Sequence, residues 1–278
     1  TLPTCSPDER QATERRVRSM VAEGELGRAA RALTPQQMAP PNAATVAALR
    51  ALHPPDLPQP PPPPGPEPAE PPAPPGNFVL YRSVFDQVVR TLPRFSGHGL
   101  DLTRFEHIRS LQRACPEGYE AFFQLASRIA AGDAADFSDE LRRALGAARL
   151  VAFAKPHSGV RPIAVGSAWR RVMGRAVAAQ RRAAWAEQLQ PVQFGVGVSG
   201  GSELLVHAAR ALVAERPDWL IVGTDCRNAF NSGSRRGMLA ALALAGSDIL
   251  PFAQFFYGQD AALFFGAAIA ESDTVLRL

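Results

Sequence analysis

One acidic residue, Asp225, follows a run of residues that favours a β-strand. The five residues before it, Leu220-Ile221-Val222-Gly223-Thr224, are mostly apolar or β-branched, and small or polar residues follow it. This pattern predicts a buried strand over residues 219 to 225 that delivers the carboxylate to its exposed end, where metal-binding acids tend to lie. A second interpretation is structural, because Asp225 could cap the helix predicted from Ser234 to Leu244.

Ten basic residues lie in a part of the chain that contains no acid. No Asp or Glu occurs between Glu140 and Glu187, although the net charge of the whole chain is only +4. Charge of one sign attracts polyanions such as RNA and DNA, and the alternative is arginine scattered over solvated helix faces. The cations of this basic block are Arg142, Arg143, Arg149, Lys155, Arg161, Arg170, Arg171, Arg175, Arg181 and Arg182.

The distribution of proline divides the chain. Fourteen of the 26 prolines fall between Pro54 and Pro75, and proline removes backbone donors and fixes φ. We therefore predict a disordered, proline-rich N-terminal region over residues 1–76, with one possible amphipathic helix over 8–32. The remaining 200 or so residues are enough for one sizeable domain.

The pattern after residue 77 predicts an α+β fold. A helical region over 77–147 comes first, with helices near 78–92, 101–114, 117–131 and 138–147. A β-hairpin follows, formed by 150–154 and 160–165, with Lys155 near its tip, Arg161 just past it, and Pro162 favouring an edge strand. The last predicted elements are helices that begin at Ser167, Ser202, Arg235 and Leu250, and a strand over 262–269.

Several classes of site lack support in the sequence. Gly195 to Gly200 matches G-x-G-x-x-G, but a proline-broken, glutamine-rich segment precedes it where a dinucleotide site needs a strand. The three cysteines and five histidines show no disulfide, zinc or nucleophile spacing, and no P-loop lysine or nucleophile elbow occurs. No apolar run is long enough for a membrane span and the N-terminus has no signal-peptide layout, so we expect an intracellular protein without a membrane partner.

A series of short motifs follows in a recognisable order. The series is Lys155, then Arg161-Pro162-Ile163, then Gln193-Phe194-Gly195, then Asp225 with Ala229-Phe230. This order resembles the motif series of reverse transcriptases of the non-LTR retrotransposon and group II intron type, and the resemblance extends from about Arg149 to Ile269. It implies that residues 148–278 form the fingers and part of the palm of a right-hand polymerase.

The resemblance also implies a role for each of these residues. Lys155 and Arg161 would bind the triphosphate of a deoxynucleoside triphosphate, and Phe230 would be the steric gate against a ribose 2′-hydroxyl. Asp225 would be the first catalytic carboxylate and, with the backbone carbonyl of Cys226, would hold Mg²⁺ in a two-metal site. The template-binding residues would be Gln193, Phe194 and Gly195. The partners implied are an RNA template, a DNA primer and deoxynucleoside triphosphates.

The sequence departs from that family where catalysis would need it most. Asn231 stands where the family usually has Asp, and neither the glycine-rich Q-G stretch nor the Tyr-x-Asp-Asp turn follows residue 270. One carboxylate cannot hold two magnesium ions. We therefore expect a truncated reverse transcriptase that does not polymerise DNA by itself. The alternative is a non-catalytic RNA- or DNA-binding remnant that uses the basic block from Arg142 to Arg182.

Overall fold

The computed structural model describes residues 7–22, 24–33, 37–53, 77–155, 159–226, 228–266 and 275–277. Within these ranges the fold is mixed α/β, mostly helical, with one small sheet. The helices are α1 (Pro7–Ala22), α2 (Leu26–Leu33), α3 (Ala43–Ala51), α4 (Arg82–Arg90), α5 (Phe105–Ala114), α6 (Pro116–Ala131), α7 (Asp139–Gly146), α8 (Ala168–Leu189), α9 (Gly201–Glu215), α10 (Ala229–Ser232), α11 (Arg235–Leu244) and α12 (Leu250–Tyr257). The strands are β1 (Ala148–Ala154), β2 (Val160–Gly166), β3 (Ala262–Phe264) and β4 (Val275–Arg277). The mixed helix-and-strand class predicted from the sequence is confirmed.

The main core lies between α4, α5, α6, α8 and α12. Phe85 of α4 is completely buried at its centre, with ring centroids of Phe122 and Phe123 each 5.3 Å away in edge-to-face contact. Phe85 and Val89 are four residues apart, which places both on the buried face of α4. Apolar burial of this kind provides the main driving force for the helical layer.

The sheet has the strand order β2-β1-β3-β4. β1 and β2 form the predicted hairpin, in antiparallel register from Ala148 opposite Gly166 to Ala154 opposite Val160. β2 is the outermost strand, as Pro162 predicts. Side chains alternate between the two faces of a strand, so Ala148, Leu150 and Ala152 share one face and Arg149, Val151 and Phe153 share the other.

The N-terminal region departs from the disorder predicted for residues 1–76, because three helices lie within it. Leu49 of α3 is completely buried in an apolar cluster with Leu150 and Ala152 on the sheet. The segment 37–39 bonds to the edge of β1, since Ala39 N–H donates to the carbonyl of Ala152 (2.9 Å) and Ala154 N–H donates to the carbonyl of Gln37 (2.8 Å). The prediction is wrong for residues 37–53, whose apolar side chains cover a sheet face. The tract 54–76 lies outside the described residues.

The strand predicted over residues 219–225 is also wrong. Residues 219–226 form neither helix, strand, turn nor bend, and all of them are exposed. A strand needs a neighbouring strand for its backbone hydrogen bonds, and none of the described strands lies beside this segment. Asp225 does not cap the following helix either, because the Ser234 hydroxyl accepts from Gly237 N–H (2.9 Å) at the start of α11.

Other helix starts follow the sequence signals to different degrees. Ser138 and Ser167 cap α7 and α8 as predicted, each with its hydroxyl oxygen 3.2 Å from a backbone N–H of the first turn. The cap predicted at Ser202 is wrong, because α9 starts one residue earlier and Gly200 adopts a left-handed conformation (φ 63°) before it. Asp101 does not start α5, which begins four residues later at Phe105.

A buried tyrosine makes the stability of this core sensitive to alkaline pH. The Tyr119 hydroxyl donates to the Asp86 carboxylate (2.7 Å), and burial, with help from that bond, raises the pKa of Tyr119 above its usual range. The folded state therefore holds the phenolic proton more tightly than the unfolded state. We expect the free energy of unfolding to be unaffected by this group below about pH 10 and to fall as the pH rises above it.

Urea unfolding between pH 8 and pH 11 checks this expectation for Tyr119. The Tyr119→Phe variant, which has no proton to lose, should show a flatter decline above pH 10 than the wild-type chain. An identical decline in both proteins would contradict the assignment of the effect to Tyr119.

Candidate nucleic-acid interface

Two cations lie at the far end of the β1–β2 hairpin. Lys155 follows β1 directly, and its backbone N–H donates to the carbonyl of Gly159 (3.1 Å). Arg161 lies in β2 opposite Phe153. Both side chains are exposed, and neither makes a hydrogen bond or ion pair with the described residues; the tip, residues 156–158, lies outside those residues. Lys155 is also the only lysine in the chain.

Most other members of the basic block stabilise the fold instead of facing solvent. Arg142 donates to the carbonyl of Phe137 (3.2 Å), and Arg170 donates to the carbonyl of Gly146 (2.7 Å). Arg171 donates to the Ser96 hydroxyl (3.1 Å) and to the carbonyl of Gly97 (2.6 Å), and Arg181 pairs with Asp248. The stretch without acids is therefore not one continuous basic surface.

Aromatic rings supply a second set of partners for these arginines. The Arg171 guanidinium lies 4.4 Å from the ring centroid of Phe105, and Arg170 lies 5.0 Å from that of Phe256. Burial lowers the pKa of the Arg171 guanidinium, and the nearby charge of Arg175 lowers it further. Cation–π contacts stabilise partly desolvated guanidinium groups. These arginines link α8 to its neighbours and leave few donors for a ligand.

A broad cleft of about 1600 Å³ opens at the other end of the hairpin. Its walls come from the root of the hairpin, α8, α10, α11 and the segment that follows α12. Phe230, fully exposed, and Asn231 lie in its lining. The arginines that line it are Arg170, Arg171, Arg235 and Arg236. Arg235 is already engaged, because it donates to the carbonyl of Gln259 (3.2 Å).

The cleft and the hairpin cations lie on opposite faces of the sheet. Ala148 and Ala164 line the cleft and share the face covered by α3, whereas Arg161 pairs with Phe153 on the other face. Arg161 is also five residues along β2 from Gly166 in the cleft, which corresponds to about 17 Å. The structure therefore does not bring Phe230 together with Lys155 and Arg161.

The residues implied as template contacts lie in the loop between α8 and α9. The side-chain oxygen of Gln193 accepts from Gly195 N–H (2.5 Å), so this amide group folds back on its own loop. Phe194 is partly buried, and its carbonyl lies so close to Gly201 that a Cβ there would overlap it. No strand precedes Gly195, so the dinucleotide-binding interpretation of this glycine-rich segment is wrong.

Asp225 and Cys226 lie in the exposed segment 219–226, and neither lines the cleft. Within the ranges that the structure describes, no group of three or more His, Cys, Asp or Glu side chains is arranged to hold a metal ion. A single exposed carboxylate does not fit a two-magnesium site, which needs several oxygen ligands around paired ions. We therefore derive no catalytic step through magnesium.

Sequence reasoning missed the contribution of other segments to both surfaces. Met38 lies opposite Phe153, so an N-terminal residue borders the face that carries Arg161. His53, at the end of α3, lines the cleft together with Arg235 and Arg236. The adjacent Arg235 and Arg236 were a signal in the sequence for a basic surface. Nothing near Met38 or His53 in the sequence indicates where those two side chains pack.

Comparisons with protein-family models and with curated proteins found no relative of this chain. No protein-family model matches the sequence, and no curated protein matches it significantly. In the described part of the chain, no helix combines the length and apolar character that crossing a membrane requires.

Proposed function

We propose that this chain is the fingers and partial palm region of a reverse-transcriptase-like protein, and that it binds the phosphates of deoxynucleoside triphosphates through Lys155 and Arg161. The observation that carries the proposal is that the side chains of these two cations pair with no described residue, although most of the basic block has an internal partner. Cations that pair with no described residue remain free to bind an anionic ligand. Their exposure supports a role in binding.

The chemistry of the pair suits a triphosphate. Arg161 offers a rigid planar fork that can bind two phosphate oxygens at once, and Lys155 adds a mobile point charge. Lys155 directly follows β1 and Arg161 lies in β2, so both are anchored to a paired hairpin. Alternation along β1 puts position 155 on the same face as Phe153 and Arg161.

The chain by itself is not expected to catalyse polymerisation. Asp225 is exposed, and among the described residues it belongs to no group of three or more His, Cys, Asp or Glu side chains that could hold a metal ion. Primer extension with an RNA template, a DNA primer and Mg²⁺ checks this. Template-dependent synthesis that is lost in Asp225→Ala would contradict it.

Chemical labelling of Lys155 tests the phosphate site directly, because no other lysine competes for an amine-reactive reagent. Pulse acylation followed by mass spectrometry measures how fast Lys155 reacts, with the α-amino group as an internal reference. We expect deoxynucleoside triphosphates to slow the acylation of Lys155. Arg161→Ala should weaken this protection about 10-fold or more, since a lost charge-assisted hydrogen bond costs about 1.5–3 kcal/mol.

The matched control is Arg182→Ala. Arg182 belongs to the same basic block and is exposed, but it lies on α8 away from the hairpin. Protection of Lys155 by triphosphate should be unchanged in this variant. Equal loss of protection in Arg161→Ala and Arg182→Ala, or no protection in the wild-type chain, would overturn the proposed triphosphate site.

The second candidate is a non-catalytic RNA- or DNA-binding protein, and the separation of Phe230 from the hairpin favours it. In that case oligonucleotides protect Lys155 and triphosphates do not. The logarithm of the oligonucleotide affinity should fall with the logarithm of salt concentration, and each phosphate contact removed at Lys155 or Arg161 should reduce the slope by about 1.

A further inference from the structure

Residues 219–226, here called the exposed strip, have the composition of a strand but no partner strand in the part of the chain that the structure describes. Trp219, Leu220, Ile221 and Val222 are 54%, 91%, 61% and 80% exposed. Residues 220–226 make no backbone hydrogen bond to any described residue. The backbone of the strip has no bend. Its N–H and C=O groups therefore form an open edge that can pair with a strand of another chain.

The helix before the strip carries further exposed apolar side chains. None of the residues of α9 after Gly201 is buried. Its large exposed apolar residues are Leu204, Leu205, Val206, Leu212 and Val213. Soluble monomers rarely expose apolar patches larger than a few hundred Å². Nine large apolar side chains, four on the strip and five on the helix that precedes it, are therefore exposed between residues 204 and 222.

We propose that this surface binds a second copy of the same chain, with the two exposed strips paired antiparallel about a two-fold axis. The inference goes beyond the proposed function, because it does not depend on the phosphate site at Lys155 and Arg161. A closed two-fold contact uses the same surface on both copies and leaves no open end for further association. A two-stranded ribbon alone is only marginally stable, and α9 of each copy supplies the apolar layer that can cover one of its faces.

Symmetry restricts the register of such a pair. Directly opposed residues form the pairs of an antiparallel ladder, so a two-fold axis that relates the two strips must lie midway between one residue and its own copy. Centring on Ile221 places Leu220 opposite Val222 and Trp219 opposite Gly223. This register pairs all four apolar residues of the strip with apolar residues or glycine, and a large aromatic ring can cover an opposing glycine.

The acidic residues at the two ends of the strip agree with this register. Asp218 comes to lie opposite Thr224, and Asp225 opposite Pro217, so no two carboxylates face each other. Centring on Leu220 would instead place Asp218 opposite Val222, and centring on Val222 would place Trp219 opposite Asp225. Either alternative puts a charge against an apolar side chain, and the register centred on Ile221 avoids both.

Sedimentation analysis over a range of protein concentrations tests the association. We expect the wild-type chain to dimerise reversibly and the double variant Leu220→Asp with Val222→Asp to bind at least about 100-fold more weakly, because the new carboxylates would lie opposite each other. Both positions are exposed, so the fold tolerates the change. Leu244→Asp, at an exposed apolar position of α11, is the control that should dimerise like the wild type.

Cysteine crosslinking tests the register in a background where Cys5, Cys115 and Cys226 are replaced by Ser. Ile221→Cys should form a disulfide-linked dimer, since directly opposed Cα atoms lie about 4.5–5.5 Å apart. Thr224→Cys should not, because the two copies of position 224 would be about 20 Å apart. A wild-type chain that stays monomeric, association that survives the double variant, or equal crosslinking at positions 221 and 224 would overturn the proposal.

Discussion

Replacing Phe85 by Ala should lower the free energy of unfolding by about 3–5 kcal/mol, the range typical of buried Phe→Ala changes. Phe85 is completely buried, and three aromatic rings, those of Tyr119, Phe122 and Phe123, lie within 5.8 Å of its centroid. Removal of the ring takes away apolar burial and these edge contacts, and leaves a cavity between α4 and α6 that well-packed neighbours fill only in part.

Urea unfolding followed by circular dichroism measures this loss. Phe230→Ala is the matched control, because it removes the same side chain from a fully exposed position and should change the free energy of unfolding by no more than about 0.5 kcal/mol. Similar effects at the two positions would mean that Phe85 is not the centre of the core described above.

Leu49→Ala should have the second largest effect, a loss of about 2–5 kcal/mol. Leu49 is the completely buried contact of α3 with the sheet, so the variant weakens the attachment of the N-terminal region. The segment 37–39 shares this attachment through its two backbone hydrogen bonds to β1. The loss should therefore be local to α3 and the sheet edge before it affects the helical core.

Hydrogen exchange resolved by residue distinguishes local from global loss of structure. In Leu49→Ala the amides of α3, Ala39 and Ala154 should exchange faster, and those of α4 and α6 should change little. Leu33→Ala is the control, since Leu33 lies in another N-terminal helix and is exposed. Unchanged exchange at Ala39 and Ala154 would show that α3 does not hold this edge of the sheet.

The elements that sequence reasoning predicted well are those whose signals are local. Ser138, Ser167 and the apolar residues of α12 identify helices from neighbouring residues alone, and α12 begins at Leu250 as predicted. The hairpin could also be predicted from local signals, because two β-favouring runs flank a short turn. Capping and periodicity need no knowledge of what an element packs against.

The elements that it missed depend on distant residues. The strip at Trp219–Val222 has a strand-like composition, but no strand of the described sheet lies beside it. Leu49 sits in an Ala-rich segment without a strong stripe and is ordered by contact with β1, 100 residues further along the chain. In both cases tertiary contacts outweigh local sequence propensity. The strip favours a strand but has none beside it, and the segment around Leu49 has a weak pattern but is ordered by the sheet.

The hairpin position of the two cations could be predicted from the sequence, but the arrangement of the surfaces around it could not. The exposed hairpin position of Lys155 and Arg161 follows from the turn signals between the two runs. The position of Phe230 depends on how α10 and α11 are arranged around the cleft, and no local pattern encodes that. The internal roles of Arg170 and Arg171 were hidden for the same reason, because their carbonyl and aromatic partners are far away in sequence.

The placement of the hairpin cations and the cleft on opposite sides of one thin sheet has a consequence for ligand length. A mononucleotide held at Arg161 is too short to reach the ring of Phe230 around the sheet margin. Only an oligonucleotide could occupy both surfaces at once. After it binds one surface, its contact with the second would form at high effective concentration. The affinity for an oligonucleotide should therefore rise abruptly, and not gradually, once the oligonucleotide is long enough to reach both the hairpin cations and the cleft.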